Sequence, residues 1–556
     1  MKSMKVERIG DRLINSGLIS PDQLEFALKE QKRTGERLGS VLRTLNLISE
    51  DDLAKVVAES AGIDHVSIRN LSIDPEIVNI IPEAIARKYK VFPIAVDNSS
   101  VTVAMADPLD VGTIDRVQQQ ARRYVKVVSS TEFDIQTTID KYFGAFKESG
   151  SLEDLIEDAV RQTEGKGSGD AREDLGLVAP VIKLIDVIIL TAVCERATDI
   201  HFEPERSLVR VRYRIDGVLK QGPYIPKQLE RAISSRIKIM GNLNISESRL
   251  PQDGKAMVTV YGKPIDVRIS TFPTIFGENV VLRVLNKEQL VIGLEKLGFS
   301  ERNLGRFTQA IDNPNGIVLV TGPTGSGKTT TLYSALMRIN TPQRKITTLE
   351  DPVEYELPMI RQSQINVRAG LTYAVGLRAI LRQDPDIILV GEMRDEETID
   401  TAIRAALTGL LVFSTLHTND AASTIPRLLD MGVEPYLAAS SLRGIVAQRL
   451  IRLICKYCKT EAPINADLAR RLSAPDVKFY AGKGCKNCEG TGYRGRTVIS
   501  EVMLLSSGTQ KAIMEHADAS VIRSISREEG METMVEDGVS KAVNGLTTLE
   551  EVARVV

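Results

Sequence analysis

Tryptophan is absent from this chain of 556 residues, and aromatic residues make up only 4% of it. A protein that tracks along single-stranded nucleic acid needs aromatic faces on which bases stack, so this scarcity argues against a nucleic-acid translocase. Charge of one sign is also missing. With 71 basic and 73 acidic residues the formal net charge is −2, which gives no global footprint for nucleic acid or an anionic membrane and leaves only local patches open. Five cysteines in so long a chain do not make a disulfide framework. Long apolar runs are lacking too. The most apolar stretch, residues 179–194, is interrupted by Lys183 and Asp186 and is too short to span a bilayer. Residues 1–8 have no apolar segment of the signal-peptide kind. The expectation is a cytoplasmic protein whose membrane contact is peripheral.

What is present is the material for three or four domains, with 43% apolar and 26% charged residues, ordinary for a globular protein. The N-terminus contains a repeat: Arg8-Ile9-Gly10 followed by Leu13, Gly17-Leu18-Ile19, Leu24, Leu28 and Gln31, then Arg37-Leu38-Gly39 followed by Leu42, Leu47-Ile48, Leu53 and Val57. Apolar residues recur at helical spacing in both copies. Residues 63–145 alternate strand-like runs (91–96, 101–104) with helical ones, so residues 1–145 read as a regulatory or docking region. Residues 146–178 turn polar and small around Gly165-Lys166-Gly167-Ser168-Gly169-Asp170 and read as a flexible linker. A second domain spans 179–290. There Val209-Arg210-Val211-Arg212-Tyr213-Arg214-Ile215, closed by Asp216-Gly217, alternates strictly and puts three arginines on one sheet face; that face is either solvated or offered to a polyphosphate. From 291 onward strand-like runs (317–321, 346–349, 387–390, 411–415) alternate with helical ones, the pattern of an α/β fold with a mostly parallel sheet covered on both faces.

In that third domain Gly322-Pro323-Thr324-Gly325-Ser326-Gly327-Lys328-Thr329 completes the G-x-x-x-x-G-K-[ST] spacing, between an apolar strand and a helix that opens with Thr330. Glycines let backbone N–H groups converge on the β-phosphate at a helix N-terminus. Lys328 reaches the β/γ-phosphates and Thr329 holds Mg²⁺. The chain therefore binds ATP or a similar triphosphate. Ile387-Ile388-Leu389-Val390-Gly391-Glu392 is an apolar strand ending in acid. Gly391 stands where a metal-side aspartate is usual, and Glu392 is placed to polarise the attacking water. Glu350 and Asp351, supported by Glu354, end another apolar strand and are candidates to hold the waters around Mg²⁺. His417, after Leu411-Val412-Phe413-Ser414-Thr415-Leu416, is either structural or able to hydrogen-bond the γ-phosphate. Cys455-x-x-Cys458 and Cys485-x-x-Cys488 form two knuckles that suit a closed, tetrahedral structural Zn²⁺ site. A redox dithiol would need only one pair. Cys194 is expected in the core.

Together these segments resemble the secretion and type IV pilus ATPases of the GspE/PilB type. Gly322–Thr329 resembles the family's Walker A, 347–354 its aspartate box, 381–395 its atypical Walker B and 408–419 its histidine box; Leu410 replaces that box's first histidine. Arg196-Ala197-Thr198-Asp199-Ile200-His201-Phe202-Glu203-Pro204, Arg249-Leu250-Pro251-Gln252-Asp253-Gly254 and Gly277-Glu278-Asn279-Val280-Val281-Leu282-Arg283 resemble its second domain. The resemblance implies a RecA-like ATPase core preceded by a PAS-like α/β domain, a homo-hexamer, and arginines of the second domain, with Arg249, Arg268 and Arg283 as candidates, reaching the nucleotide. It also implies a polytopic inner-membrane platform protein and cytoplasmic assembly proteins as partners, at the cytoplasmic face of the inner membrane. The N-terminal repeat resembles the MshE N-terminal domain, which implies a cyclic di-GMP site at Arg8, Gly10, Arg37 and Gly39, while Asn46 and Ser60 depart from the pattern. A helical docking module is the alternative. The main expectation is a hexameric motor for pilin assembly, the alternative a type II secretion ATPase driving a pseudopilus. A nucleic-acid translocase, or a cyclic di-GMP receptor with a vestigial ATPase, are the readings from other classes; Lys328, Thr329 and Glu392 argue against the second of these.

Overall fold

The computed structural model describes residues 9–45, 47–71, 73–97, 99–143, 152–164, 178–261, 263–285, 293–463, 466–475 and 477–556. Two compact units are present: residues 50–288 form one, and residues 1–49 together with 289–556 form the other. The first part of the repeat thus belongs to the unit that carries the phosphate loop. None of the described helices is long and apolar enough to cross a membrane.

The unit of residues 50–288 contains two sheets. Strands β1 (Val91–Val96), β2 (Ser100–Met105) and β3 (Tyr124–Ser129) form the smaller, with β1 antiparallel and β3 parallel to β2. Phe92, Val101, Val103 and Met105 pack there with Ile135 and Ile139 of the helix Glu132–Phe143. The larger sheet is built of β4 (Asp199–Pro204), β5 (Leu208–Ile215), β6 (Val218–Pro226), β7 (Gln252–Val260), β8 (Lys263–Thr274) and β9 (Gly277–Leu285), in the order β6-β5-β4-β9-β8-β7. Neighbours are antiparallel throughout. The β5–β6 hairpin closes through Asp216 (φ 48°) and Gly217 (φ 84°), a two-residue turn whose positive φ angles match the twist of the flanking strands. Alternation works as expected. Val209, Val211 and Tyr213 are buried with the helix Ala179–Cys194, and the arginines lie on the opposite face. There Arg210 pairs with Glu205 (2.6 Å) and Arg212 with Glu203 (2.5 Å).

Inside the expected linker the structure differs: Leu152–Glu164 is an α-helix. Leu155 and Ala159 are buried, and Leu152, Ile156 and Val160 pack against the same core as the helix Ala179–Cys194. An i, i+3, i+4 apolar stripe explains it. The rest of the expected linker, 146–151 and 165–177, lies outside the described residues.

The other unit holds the main sheet. Its strands are β10 (Gly316–Thr321), β11 (Ile346–Glu350), β12 (Arg361–Gln364), β13 (Ile387–Val390), β14 (Leu411–Leu416) and β15 (Leu442–Ile454); β16 (Lys459–Ala462) and β17 (Phe479–Gly482) pair separately, and β18 (Tyr493–Leu504) closes the series. The order is β12-β11-β13-β14-β10-β15-β18, parallel except for the antiparallel β15–β18 edge. Every residue of β10, β13 and β14 is buried, which is why these strands are largely apolar and carry no charged residue. Val318 and Val320 face Phe307, Leu332 and Leu336 on one side. Ile317 and Leu319 face Ile399 and Ile403 on the other. All the parallel strands point their C-terminal ends the same way, and the loops of interest leave from those ends.

Candidate active site

The phosphate loop leaves β10 at Gly322. A Cβ on Gly322 (φ 148°) would lie 2.6 Å from Ser326 Oγ, so the loop folds over itself too tightly for any side chain there. Gly327 (φ 90°) opens the helix Lys328–Ile339. Pro323, Thr324 and Gly325 are exposed and Ser326 is buried; Thr329 is exposed on the first turn and Thr330 half-buried. Lys328 Nζ donates to the carbonyls of Gly322 (2.7 Å) and Pro323 (3.1 Å). Burial, with Arg449 adding to it and Glu392 opposing, pushes this lysine down to about 8.

β14 runs parallel to β10 with Leu416 opposite Thr321, so His417 emerges beside Gly322. Threonines lock the two loops together. Thr321 Oγ1 accepts from Thr418 N (2.9 Å) and lies 2.6 Å from Thr418 Oγ1, which is in turn 2.7 Å from Thr424 Oγ1. Next in the sheet, β13 delivers Glu392. Its side chain is mostly buried, pairs with Arg394 (Nη2–Oε1 2.6 Å) and stands 3.8 Å from His417 Nε2. Burial and the neighbouring Lys328 lower the imidazole's proton affinity, so at neutral pH His417 meets Glu392 as a neutral ring. Leu410, in the place of the family's histidine, packs against the apolar core.

The acidic strand end splits into two environments. Glu350 is buried and is committed to protein donors: Tyr333 Oη donates to Oε2, while Thr348 Oγ1 (2.5 Å) and Gln362 Nε2 (3.2 Å) donate to Oε1. Asp351 is exposed. Glu354 is half-buried, and its N–H donates to Tyr333 Oη (3.4 Å). Tyr373 was not singled out by sequence reasoning. It opens the helix Tyr373–Ile380, whose cap is Thr372 Oγ1 accepting from Val375 N (3.3 Å). Its hydroxyl occupies the space beside Gly391, where a Cβ would come within 2.9 Å of Oη. Any side chain at 391 would crowd the Tyr373 hydroxyl, so one of the two would have to shift.

In the unit of residues 50–288, Arg249 is exposed and held by Glu247 (2.8 Å), Arg283 pairs with Asp199 (3.1 Å), and Arg268 stands opposite Arg283 across the β8–β9 ladder. In the repeat, Arg8 and Asn46 lie outside the described residues. Gly10 is buried against Leu24, whose Cδ1 would meet a Cβ at 2.9 Å, while Arg37 is exposed and Gly39 half-buried. Cys194 is half-buried, with Sγ 3.7 Å from Tyr261 Oη.

The four remaining cysteines come together. All four Sγ atoms lie within 4.8 Å of one another. The separations Cys455–Cys485 (3.8 Å), Cys458–Cys488 (3.7 Å) and Cys485–Cys488 (3.7 Å) match the ~3.8 Å edge of a tetrahedron with metal–sulfur arms of ~2.3 Å. Backbone N–H groups of Cys485 and Gly492 each donate to Cys488 Sγ at 3.2 Å. Burial raises that thiol, but these donors together with the neighbouring Cys485 and Cys458 thiols lower it, while burial holds Cys455 and Cys458 above the ordinary thiol value. This donor set fits a metal that prefers thiolate.

A phosphate loop on a mostly parallel sheet, an acid at the end of the adjoining strand and a polar loop beside it define a RecA-like P-loop ATPase. Comparison with known proteins gives the family. Residues 174–554 match the family described as Type II/IV secretion system protein, and residues 61–149 match the MshEN domain. The chain belongs to the Type II/IV secretion system protein family and is an ATPase. It is 41% identical to the type IV pilus assembly ATPase PilB of Myxococcus xanthus, over 98% of this chain and 98% of that protein. It is 42% identical to the type II secretion system protein E of Xanthomonas campestris pv. campestris, over 99% of this chain and 98% of that protein. The Legionella pneumophila ATPase DotB shares the fold, with a TM-score of 0.51 at 21% identity, covering 67% of this chain and 95% of that one. The MshEN match begins at residue 61, C-terminal to both copies of the repeat.

Proposed function

We propose that this chain is the cytoplasmic motor that powers type IV pilus extension, working as a hexamer at the inner face of the inner membrane with a polytopic platform protein and cytoplasmic assembly proteins. The observation that carries this reading is the 41% identity with a pilus assembly ATPase over nearly the whole of both chains. The equally extended likeness to a type II secretion protein favours a second reading, in which the same engine drives a pseudopilus. In both, Lys328 and the N–H groups of 322–329 bind the β- and γ-phosphates, and Thr329 with the exposed Asp351 would hold Mg²⁺ and its waters. That ion, when bound, neutralises charge on the phosphates. Glu392 orients and polarises the attacking water, Arg394 and His417 fix its carboxylate, and Glu350 positions the acidic strand end from within. Arg249, Arg268 and Arg283 are the candidates for completing the pocket. Zn²⁺ at Cys455, Cys458, Cys485 and Cys488 is structural, because four thiolates leave no open position. Cyclic di-GMP at the N-terminal repeat is the regulatory reading; the MshEN match covers residues 61–149, so it supports an MshEN-type region in this half of the chain and not the repeat residues themselves.

Replacing Glu392 by Gln in the producing organism separates these readings. The variant is expected to bind ATP without hydrolysing it and to abolish either surface pili or protein export, which names the system. Normal ATP turnover in the variant overturns the role of Glu392; intact pili and intact export together overturn the motor assignment. Calorimetric titration of the full chain with cyclic di-GMP tests the regulatory reading, and no heat of binding overturns it.

A further inference from the structure

Gln448 lies on β15 beside the phosphate loop and is completely buried (1% exposed). Its Nε2 donates to the Ser326 carbonyl (2.8 Å), and its Oε1 accepts from Thr331 Oγ1 (2.8 Å) on the first turn of the following helix. Its backbone carbonyl would lie 2.5 Å from a Cβ on Gly322, and its Nε2 would lie 3.2 Å from one on Gly327. Four positions of the phosphate-binding element, 322, 326, 327 and 331, are thus referenced to one side chain and its own backbone. The next residue, Arg449, donates through Nη2 to the backbone carbonyl and to Oδ1 of Asn419 (3.1 Å each) in the loop that carries His417.

A loop that aims its N–H groups at an anion turns its carbonyls the other way, and a buried carbonyl without a donor is costly. The uncharged amide, with its donor and acceptor on two separate atoms, donates to Ser326 O and accepts from Thr331 at once. A carboxylate of the same length can only accept, so it would face the Ser326 carbonyl with like polarity.

We propose that Gln448 is a positioning residue of the phosphate site, holding the Ser326 carbonyl turned away so that the loop's N–H groups stay aimed at the nucleotide. It never touches substrate. The inference rests on the nucleotide occupying residues 322–329. It goes further in making the aim of that loop depend on a side chain from the opposite neighbour of β10, more than a hundred residues downstream in the chain.

The test is titration of the full-length protein and its variants with a fluorescent mant-ADP. Gln448→Met, similar in length but apolar, is expected to weaken binding about tenfold through loss of two buried hydrogen bonds, and Thr331→Val about threefold. The double variant is expected to be no weaker than Gln448→Met, since both changes break one network. Gln448→Glu carries the distinguishing signature: it binds poorly at neutral pH and regains affinity as the pH falls, because the protonated carboxyl can donate to Ser326 O. Wild-type affinity in Gln448→Met or in Thr331→Val overturns the proposal, as does a Gln448→Glu profile parallel to the wild type. Thr331→Val, a change of one hydroxyl, keeps the test open if the glutamine variants do not fold. Failure of the unaltered protein to bind mant-ADP would instead overturn the assignment of the loop itself.

Discussion

Adding one methyl group to Gly391 interrogates the unusual end of β13. A Cβ there would stand 2.9 Å from Tyr373 Oη, 3.3 Å from Leu349 O and 3.4 Å from Glu350 Cα. The first contact is too short to persist. Its neighbours cannot simply retreat: Leu349 O is held by Gly391 N (2.8 Å), and the Tyr373 ring packs against the core. Overpacking of this kind costs ~1–3 kcal/mol, which for a unit of this size lowers the melting midpoint by about 1.5 °C per kcal/mol. Tyr373→Phe removes the clashing oxygen and keeps the ring. Gly391→Ala should therefore be clearly destabilising alone, and the pair should recover about 1 kcal/mol relative to the sum of the single changes. Differential scanning fluorimetry with and without ADP identifies the transition to follow, since bound nucleotide raises only the unit that binds it. ATP turnover measured alongside should fall in Gly391→Ala, because Glu392 is the next residue, and partly return in the pair. Strictly additive midpoints, or an unperturbed Gly391→Ala, would refute the packing argument.

The remaining predictions concern protons, sulfur and a buried carboxylate. Lys328 sits near 8 in the free chain, and a bound polyphosphate raises it, so nucleotide binding takes up a proton above that pH. Affinity should be level below about pH 8 and fall as the pH rises through it; a level mant-ADP affinity up to about pH 9.5 contradicts this linkage. Cys485→Ser removes one corner of the thiol tetrahedron and should release zinc and lower the melting midpoint, as read by elemental analysis and scanning fluorimetry, whereas unchanged metal content rules out the site. Tyr333→Phe strips one donor from buried Glu350 and should cost about 1.5–3 kcal/mol, the range for a hydrogen bond to a charged group, with a corresponding loss of thermal stability; an unchanged midpoint means the hydroxyl contributes nothing.

What could be read from the chain beforehand follows from how local its causes are. The phosphate loop and the strands at 317–321, 346–349, 387–390 and 411–415 were legible because glycine spacing and full burial leave marks within a few residues. The arginine alternation on β5 was legible for the same reason. The helix Leu152–Glu164 was obscured by the small and polar runs on either side, although Leu152, Leu155, Ile156 and Ala159 carry its stripe. The division of labour between Glu350 and Asp351 was not legible at all. Adjacent carboxylates look alike in sequence, and only the strand's last turn into the protein shows that Tyr333, Thr348 and Gln362 claim the first. Tyr373 and Gln448 escaped because each reaches the site from a distant segment and belongs to no spacing rule; in 442–454 Gln448 stands among three arginines, and only its full burial sets it apart from them.

β15 does not end at the phosphate loop. It continues from Gln448 to Ile454, and Cys455 of the thiol cluster follows at once. At ~3.3 Å per residue that is a taut span of roughly 23 Å, braced along its length by β18. β15 is also paired with β10 at Leu442–Ala447, so the segment between Gln448 and Cys455 is fixed in place by the sheet on which the phosphate loop is built. One continuous strand therefore ties the position of the thiol cluster to that of Gln448, so that the two ends of β15 share a single register against β18.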